Sequence, residues 1–316
     1  MKKIRAKDFI SGVAVGAILF TGIAFAAPSE VKLIVNGKEI HSDVPPQMMN
    51  GRTMVPARFL AEELGAKVEW DSNQKAVIVT SKTSETHTKP HWSYEGETGP
   101  NKWAGLDPSF STCADGREQS PIDIELSNVK LDKSLEDIEI NYSPTTFTVM
   151  NNGHTIQAND KSGSNSIVVE GEEYKLVQMH FHKPSENTIN GQTFDMEGHL
   201  VHKNSEGNLA VLGFLIKVGD GNKELAEIWS KLPKQQTKED VELENPVDLV
   251  NLLPKEMKTF RYSGSLTTPP CSEGVKWILF EKPIEMSKEQ VEAFGAIFPD
   301  NHRPVQPLNN REVLTK

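Results

Sequence analysis

The sequence has few cysteines, no excess of basic residues and few helical signals, and each shortage narrows the classes of protein to consider. Only two cysteines occur in 316 residues, so the chain can form at most one internal disulfide. Acidic residues outnumber basic ones by 44 to 34, a formal net charge of −10. Because phosphate binding requires clustered Lys and Arg, this balance argues against nucleic-acid partners and against anionic membrane surfaces. The hydrophobic fraction of 37% is ordinary and predicts a sizeable core rather than wholesale disorder.

The N-terminus has the pattern of a secretory signal. Four basic residues in the first seven positions precede an apolar stretch that starts at Phe9, and "AFAA" supplies small residues at the A-x-A spacing. We predict a signal peptide over residues 1–26, cut after Ala26. The alternative is an uncleaved membrane anchor, since residues 10–27 approach the shortest length that spans a bilayer. Either way the protein is predicted to be exported, as a secreted or envelope-associated protein.

The two cysteines are Cys113 and Cys271, which lie 158 positions apart (271 − 113). Export to an oxidising compartment favours a disulfide between them. Two free thiols are the alternative that the sequence leaves open.

Residues 31–80 predict a small α+β domain. "VKLIVNGKEI" alternates around an Asn-Gly turn, "VPARFLAEELGA" has a helical apolar face between Pro56 and Gly65, and "KVEW" and "AVIVT" flank a further turn. The polar segment at residues 81–90 has no periodicity and is predicted to be a linker.

From residue 91 onward, short alternating segments broken by Gly, Pro and Asn dominate. They predict a mainly β (α+β) domain at residues 91–316, with a large, mostly antiparallel, twisted sheet and few peripheral helices. The predicted strands lie in "LEDIEINY", "FTVMNNGHTIQAN", "SIVVEGEEYKLVQMHFH", "GHLVHKN" and "LAVLGFLIKVG". The predicted helices are "NKELAEIWSKL", "NPVDLVNLL" and "SKEQVEAFGAIF".

Two histidines in "KLVQMHFH" indicate a metal site. On a strand His180 and His182 point the same way, with Cβ atoms about 6–7 Å apart, while Phe181 points to the opposite face. Two imidazoles at that separation can share one ion at Zn–N distances of about 2.0–2.1 Å. The His-x-His pattern alone is not specific, so a third ligand is needed.

The strand "MEGHLVHKN" offers His199 or His202, which have opposite parity. We prefer His199 because Glu197 then lies on the same face and can accept the N–H of its imidazole. Gln178 stands in the same relation to His180. Three imidazole nitrogens with an open fourth position are typical of catalytic zinc, and His202 is then a core histidine on the other face.

Two family resemblances follow from longer motifs. The segment containing "NGRTMVPARFLAEELGAKVEWD" resembles the copper amine oxidase N-terminal domain. We infer no copper there, because the segment has no cysteine and no repeated histidine spacing; contact with the cell envelope is the better hypothesis. Residues 91–316 resemble the α-class carbonic anhydrases through "HWSYEG", "EQSPIDI", "NNGHT", "QMHFHKPSEN", "EGHLVHKN", "YSGSLTTPPCSEGVKWILFEKPI" and "HRPVQPLNNR".

The second resemblance implies a zinc lyase that hydrates carbon dioxide reversibly to bicarbonate and a proton through zinc-bound hydroxide. It implies zinc ligands at His180, His182 and His199, with hydrogen-bond acceptors at Gln178, Glu197 and the carbonyl near Asn301. Thr267 would hydrogen-bond the hydroxide and donate to Glu186, and His154 would be the proton shuttle. Water-network residues would be Tyr94, Asn152 and Gln157, and the carbon dioxide pocket would be formed by Val201, Val211, Leu266, Thr267, Thr268, Val275 and Trp277.

The resemblance also matches Cys113 and Cys271 to a bridge found in many exported members. The sequence departs from common family residues at Lys183, Gly198 and Gln157. These departures affect the expected rate of hydration and not the type of reaction. The same zinc chemistry would allow an esterase side activity. The alternative function is a metal-free carbonic-anhydrase-like binding or adhesion module. A small-molecule substrate is the expected partner, and no oligomeric state is predicted.

Overall fold

The computed structural model describes residues 31–35, 37–49, 51–72, 75–81 and 90–316. The chain divides into two compact units, Met1–His87 and Thr88–Lys316. The predicted signal peptide and most of the predicted linker lie outside the described residues. Within the described ranges no helix has both the length and the hydropathy needed to cross a membrane.

In its described residues, the small unit contains three two-stranded hairpins and one helix, as the sequence predicts except for one additional hairpin, β3–β4. The helix ends before Gly65, whose φ of +84° is a conformation that glycine adopts without strain. The elements are β1 (Leu33–Val35), β2 (Lys38–Ile40), β3 (Gln47–Met49), β4 (Arg52–Met54), α1 (Ala57–Glu63), β5 (Ala66–Asp71) and β6 (Ala76–Ser81).

The large unit is built mainly of strands. These are β7 (Asp123–Ile124), β8 (Lys130–Leu131), β9 (Glu139–Asn141), β10 (Phe147–Asn151), β11 (Ile156–Asp160), β12 (Ser166–Val169), β13 (Glu172–His182), β14 (Thr188–Ile189), β15 (Met196–Lys203), β16 (Leu209–Val218), β17 (Val241–Glu242), β18 (Thr259–Ser265), β19 (Glu273–Phe280), β20 (Ile284–Met286) and β21 (Leu314–Thr315). Its α-helices are α2 (Trp103–Leu106), α3 (Thr112–Asp115), α4 (Ala226–Ser230), α5 (Leu249–Leu252) and α6 (Lys288–Gly295).

Thirteen of these strands form one sheet, in the order β17-β10-β11-β13-β15-β16-β19-β18-β21-β8. Strand β12 pairs with β13 and β9, and β20 pairs with β16. The pairs β16–β19, β16–β20 and β21–β8 are parallel and the others are antiparallel. The predicted mainly β architecture with a mostly antiparallel sheet is therefore confirmed.

The central strands are buried on both faces, so each contributes to two clusters of apolar side chains. On β15 and β16, Leu200 and Leu212 belong to the larger core cluster, and Val201 and Val211 belong to the second. Because successive strand residues face opposite ways, His199 lies on the face of Val201. The second cluster is therefore the apolar surface beside the histidines.

Two of the predicted helices are shorter than their apolar patterns. Helix α5 begins where Asp248 accepts hydrogen bonds from the backbone N–H groups of Val250 and Asn251, and Pro254 disfavours continuation through Leu253. Pro233 limits α4 in the same way. Helix α6 has the predicted start, with a capping box between Ser287 and Gln290.

Candidate metal centre

Three imidazoles converge on the neighbouring strands β13 and β15. Their candidate ligand nitrogens all lie within 4.8 Å of one another. His180 and His199 are direct register partners across the two strands, and Nε2 of His180 is 3.3 Å from Nδ1 of His199. His182 joins them because it lies two residues after His180 on the same face.

The other nitrogen of each ring is held by an acceptor of the protein. The pairs are His180 Nδ1 with Gln178 Oε1 (2.9 Å), His182 Nδ1 with the Asn301 carbonyl (2.7 Å), and His199 Nε2 with Glu197 Oε1 (2.9 Å). These bonds fix the ring orientations, so that two Nε2 atoms and one Nδ1 atom face a common point. Nε2 of His182 is buried and has no hydrogen-bond partner among the described residues.

The electrostatic environment keeps these imidazoles neutral. Burial lowers the pKa of His182 to about 4, and burial together with the neighbouring histidines holds the pKa values of His180 and His199 well below their ordinary range. A metal ion binds the neutral form of imidazole. Three neutral rings with converging lone pairs, one of them unpartnered, therefore fit a divalent ion such as zinc.

The acceptor behind His199 is itself held by a residue that the sequence analysis did not single out. Asn187 is fully buried and donates to Glu197 twice, from its backbone N–H to Oε2 and from Nδ2 to Oε1, both at 2.7 Å. The Asn187 Oδ1 atom accepts from the hydroxyl of Tyr262 (3.0 Å) and from the backbone N–H of Ile122 (3.1 Å). Burial raises the pKa of Glu197 to about 7, and the Asn187 donors oppose that rise.

A second buried carboxylate lies beside the histidines. Glu186 Oε1 accepts the backbone N–H of Arg303 (2.8 Å), and Oε2 is 3.4 Å from Nε2 of His182. Burial, with the negative charge of Glu197, raises the pKa of Glu186 to about 8. Oε2 makes no hydrogen bond of normal geometry within the described ranges, although the nearby Thr267 hydroxyl lowers the pKa.

His154 occupies the turn between β10 and β11. Its ring stacks on Trp92, with centroids 3.6 Å apart and planes inclined by 6°. Burial, with the charge of His91, lowers the pKa of His154 to about 4. Nearby, Nδ2 of Asn152 donates to Oε1 of Gln157 (3.2 Å). The buried hydroxyl of Tyr94 has no hydrogen-bond partner in the described part of the chain.

Comparison with known proteins decides the family. Residues 98–316 match the family model for eukaryotic-type carbonic anhydrases, and residues 25–89 match the copper amine oxidase N-terminal domain. A carbonic anhydrase of Pectobacterium atrosepticum is 39% identical over 225 residues, covering 71% of this chain and 90% of that protein. One of Neisseria gonorrhoeae is 43% identical over 225 residues, covering 71% and 87%. The chain belongs to the eukaryotic-type, or α-class, carbonic anhydrase family.

A solved structure supports the same assignment. The α-carbonic anhydrase of Thermovibrio ammonificans, in complex with the inhibitor sulfanilamide, matches with a TM-score of 0.69 and 44% identity, covering 71% of this chain and 99% of that one. The predicted family and the prediction of a carbonic anhydrase enzyme are confirmed. Reversible hydration of carbon dioxide is the general reaction of α-carbonic anhydrases, and zinc is their metal.

Five of the residues that the carbonic anhydrase resemblance assigns to the substrate pocket come together beside the histidines. Val201, Val211, Val275 and Trp277 belong to one buried cluster, against which Leu266 packs. The ring of Trp277 lies edge-on to that of His199, with centroids 4.9 Å apart. This cluster provides an apolar wall next to the candidate metal position.

Cys113 and Cys271 form a disulfide in this carbonic anhydrase domain. It joins helix α3 to the loop that carries Thr267 and Thr268, and the backbone N–H of Cys271 donates to the Thr268 carbonyl (2.8 Å). The guanidinium of Arg303 is buried beside this bridge and donates to the Cys113 carbonyl (3.0 Å). The bridge thus restrains the loop of Thr267, and the contacts of Arg303 restrain the segment whose backbone N–H donates to Glu186.

Of the departures from common family residues, Gly198 has a clear steric explanation. A Cβ atom there would lie 2.2 Å from the ring of Phe214, which occupies the space on the core face. Asn187 and Arg303 stand inside the quoted motifs "QMHFHKPSEN" and "HRPVQPLNNR", and membership of these motifs was the only available signal for them.

Proposed function

We propose that residues 91–316 catalyse zinc-dependent reversible hydration of carbon dioxide, with His180, His182 and His199 holding the ion. The observation that carries this proposal is the convergence of three neutral, buried imidazoles whose outer nitrogens are all fixed by acceptors. When bound, zinc lowers the pKa of a coordinated water toward neutrality, a property already established for carbonic anhydrases.

Glu186 and Thr267 then orient the attacking oxygen. The Arg303 N–H occupies Oε1 of Glu186, which leaves Oε2 to accept the hydroxyl proton of Thr267. This role requires the ionised form of Glu186, which the positive charge of a bound zinc ion would favour against the burial that raises its pKa. A threonine that donates to a carboxylate acts toward any other oxygen only as an acceptor. The attacking oxygen must therefore donate to Thr267, and this directs one of its lone pairs toward the substrate.

The apolar wall positions carbon dioxide. Val201, Val211 and Val275 are nearly inaccessible to solvent, and Trp277 closes the wall beside His199. Because carbon dioxide is small and apolar, such a surface can hold it without competing for the oxygen nucleophile. Leu266 and Thr268 complete the proposed substrate site next to Thr267.

His154 exports the proton. Transfer to water alone, from a group of pKa about 7, would limit turnover to roughly 10³ s⁻¹, so a relay that titrates near neutrality accelerates the cycle. With a pKa of about 4, the stacked ring is a weak acceptor at neutral pH. The proposed shuttle therefore requires the imidazole to leave Trp92 for solvent, where its pKa returns toward 6.5. Tyr94, Asn152 and Gln157 would hold the intervening water.

Stopped-flow hydration assays test the reaction and the shuttle together. We expect zinc in the purified protein, and activity that is abolished by a chelator and inhibited by sulfanilamide. His154→Ala should lower kcat in weak buffer, leave kcat/KM nearly unchanged and recover with imidazole, whereas His41→Ala in the small unit should change neither. A purified protein with neither zinc nor hydration activity would favour the alternative function, a metal-free binding module. An unchanged kcat in His154→Ala would refute only the proposed role of His154 as the proton shuttle.

We further propose that residues 1–26 are a leader, residues 31–80 a small domain that contacts the cell envelope, residues 81–90 a linker and residues 91–316 the catalytic domain. The disulfide supports export, because such bonds persist in oxidising compartments. N-terminal sequencing of the mature protein tests cleavage after Ala26. Fractionation of cells expressing the chain with and without residues 31–80 tests envelope attachment.

A further inference from the structure

A row of hydrogen-bonded amides links a carboxylate at the sheet margin to the turn that carries His154. Asn159 Nδ2 donates to Asp240 Oδ2 (2.9 Å), Gln157 Nε2 donates to Asn159 Oδ1 (2.6 Å), and Asn152 Nδ2 donates to Gln157 Oε1 (3.2 Å). At the far end, Asn152 Oδ1 accepts the backbone N–H groups of His154 (2.9 Å) and Thr155 (3.0 Å). The row therefore ends at the backbone of the proposed proton shuttle.

The row runs alongside the histidine-bearing strand. Gln157 and Asn159 lie two residues apart on β11, so they share one face of the sheet. In the register with β13, Gln157 is opposite His180 and Asn159 is opposite Gln178. The amides thus form a polar margin next to the candidate metal centre, on the side of His154.

The chemistry of the two ends fixes the orientation of every amide between them. An ionised carboxylate only accepts hydrogen bonds, and a backbone N–H only donates them. Asn152 must turn its oxygen to the backbone, which leaves its nitrogen for Gln157, and the same alternation continues to Asp240. Rotating one amide by 180° would place two oxygens or two N–H groups face to face.

Asp240 is held as an ionised anchor. The Thr148 hydroxyl donates to Oδ2 (2.6 Å), and Lys161 Nζ lies 3.5 Å away. Hydrogen bonding from Thr148 is the main cause that lowers the Asp240 pKa. Asp240 directly precedes β17, which pairs with the strand of Thr148, so the backbone also fixes its place.

We propose that Asp240, acting through Asn159, is a positioning residue for proton transfer: it fixes which groups of Gln157 and Asn152 meet the water between the metal centre and His154. The proposal rests on the proposed role of His154. Asp240 itself touches neither metal nor substrate in this scheme. Its effect on the reaction should therefore appear in proton export and not in substrate hydration.

Asp240→Asn tests this role in the full-length zinc-loaded protein, because an amide at the end of the row also donates and no longer imposes one orientation. In weak buffer kcat should fall about fivefold, the factor that corresponds to one hydrogen bond of ordinary strength. We expect kcat/KM to stay within about twofold and imidazole buffer to restore kcat. Asp240→Glu keeps an acceptor-only end and should retain most of the wild-type kcat.

Asp160→Asn is the matched control, since Asp160 lies on the same strand and accepts from the amide of Asn165 (3.0 Å) outside the row. It should leave kcat unchanged. NMR of the side-chain amides gives a readout independent of turnover: the Asn159 and Gln157 signals should shift in Asp240→Asn and stay in place in Asp160→Asn.

The outcomes separate this proposal from the proposed function. If His154→Ala lowers kcat while Asp240→Asn does not, the positioning role of Asp240 is wrong and the shuttle stands. If neither variant lowers kcat, the shuttle fails and the role of Asp240 fails with it. An equal fall of kcat and kcat/KM in Asp240→Asn would indicate general damage and would also overturn the proposal.

Discussion

Asn187 is the buried amide that holds Glu197, and replacing it with aspartate tests how strongly that contact controls metal binding. The side chain keeps its shape, but the Nδ2 donor 2.7 Å from Glu197 Oε1 becomes an oxygen. Two carboxyl groups then share one buried site, so one must take up a proton or move away. Either response weakens the bond from Glu197 Oε1 to His199 Nε2, which orients a proposed ligand.

The expected magnitude follows from the bond that is lost. A buried hydrogen bond to a charged group contributes about 1.5–3 kcal/mol, and 1.4 kcal/mol corresponds to about tenfold in an equilibrium constant. Residues that orient metal ligands typically change metal affinity by about 10–100-fold. We therefore expect Asn187→Asp to raise the zinc dissociation constant by about 10–100-fold.

Competition with a chromophoric chelator measures this constant without recourse to activity. Asn165→Asp is the matched control, because Asn165 is equally buried, donates to Asp160 and accepts a backbone N–H. It should lower stability without changing zinc affinity. Folded Asn187→Asp with affinity within about twofold of wild type, or an equal loss in Asn165→Asp, would refute the reasoning.

If Asn187→Asp does not fold, a milder pair of substitutions tests the same contact. Tyr262→Phe removes one of the two donors to Asn187 Oδ1, a loss of about 1 kcal/mol, and should weaken zinc binding by up to about fivefold. Tyr142→Phe removes a comparable bond from Tyr142 to His202 (2.7 Å), on the opposite face of β15. It should leave zinc affinity unchanged.

Two further predictions concern stability. The disulfide joins residues 158 positions apart, so the double substitution Cys113→Ser/Cys271→Ser should lower the free energy of unfolding by up to about 5 kcal/mol in the chain-entropy description. A decrease below about 1 kcal/mol, measured by denaturant unfolding, would contradict this prediction. Burial lowers the pKa of His202 to about 3 from its ordinary 6.5, so the unfolded chain binds more protons between these values. The free energy of unfolding should therefore fall as the pH drops from about 6.5 toward 3, and His202→Gln should flatten this dependence; an unchanged slope in urea titrations would count against it.

Much of the site could be predicted from the alternation of side chains along a strand. Because side chains alternate along a strand, "QMHFH" places Gln178, His180 and His182 on one face in any fold that keeps the segment extended. The same rule separates His199 from His202, but it does not say which of them lies beside His180. The structure decides this: His199 meets His180 across the strand pair, and His202 lies in the core with Tyr142.

Local sequence patterns could not predict the contacts between segments that are distant in the chain. Glu186 is held by Arg303, 117 residues away, and Asp240 anchors Asn159 across 81 residues. Neither Asp240 nor Asn159 has a sequence signal, since an acidic residue in a polar loop and an asparagine on a strand are both ordinary. Their roles exist only because β17 lies beside β10, and β10 beside β11.

The sequence alone determined the strand-rich class and the pairing of His180 with Gln178 and of His199 with Glu197, because alternation along a strand depends on backbone geometry over a few residues. The tertiary structure alone decided which distant groups hold those acceptors in place. Strand order and register set these contacts, and they result from burying two apolar faces of one sheet at once, a property of the whole chain that no short segment contains.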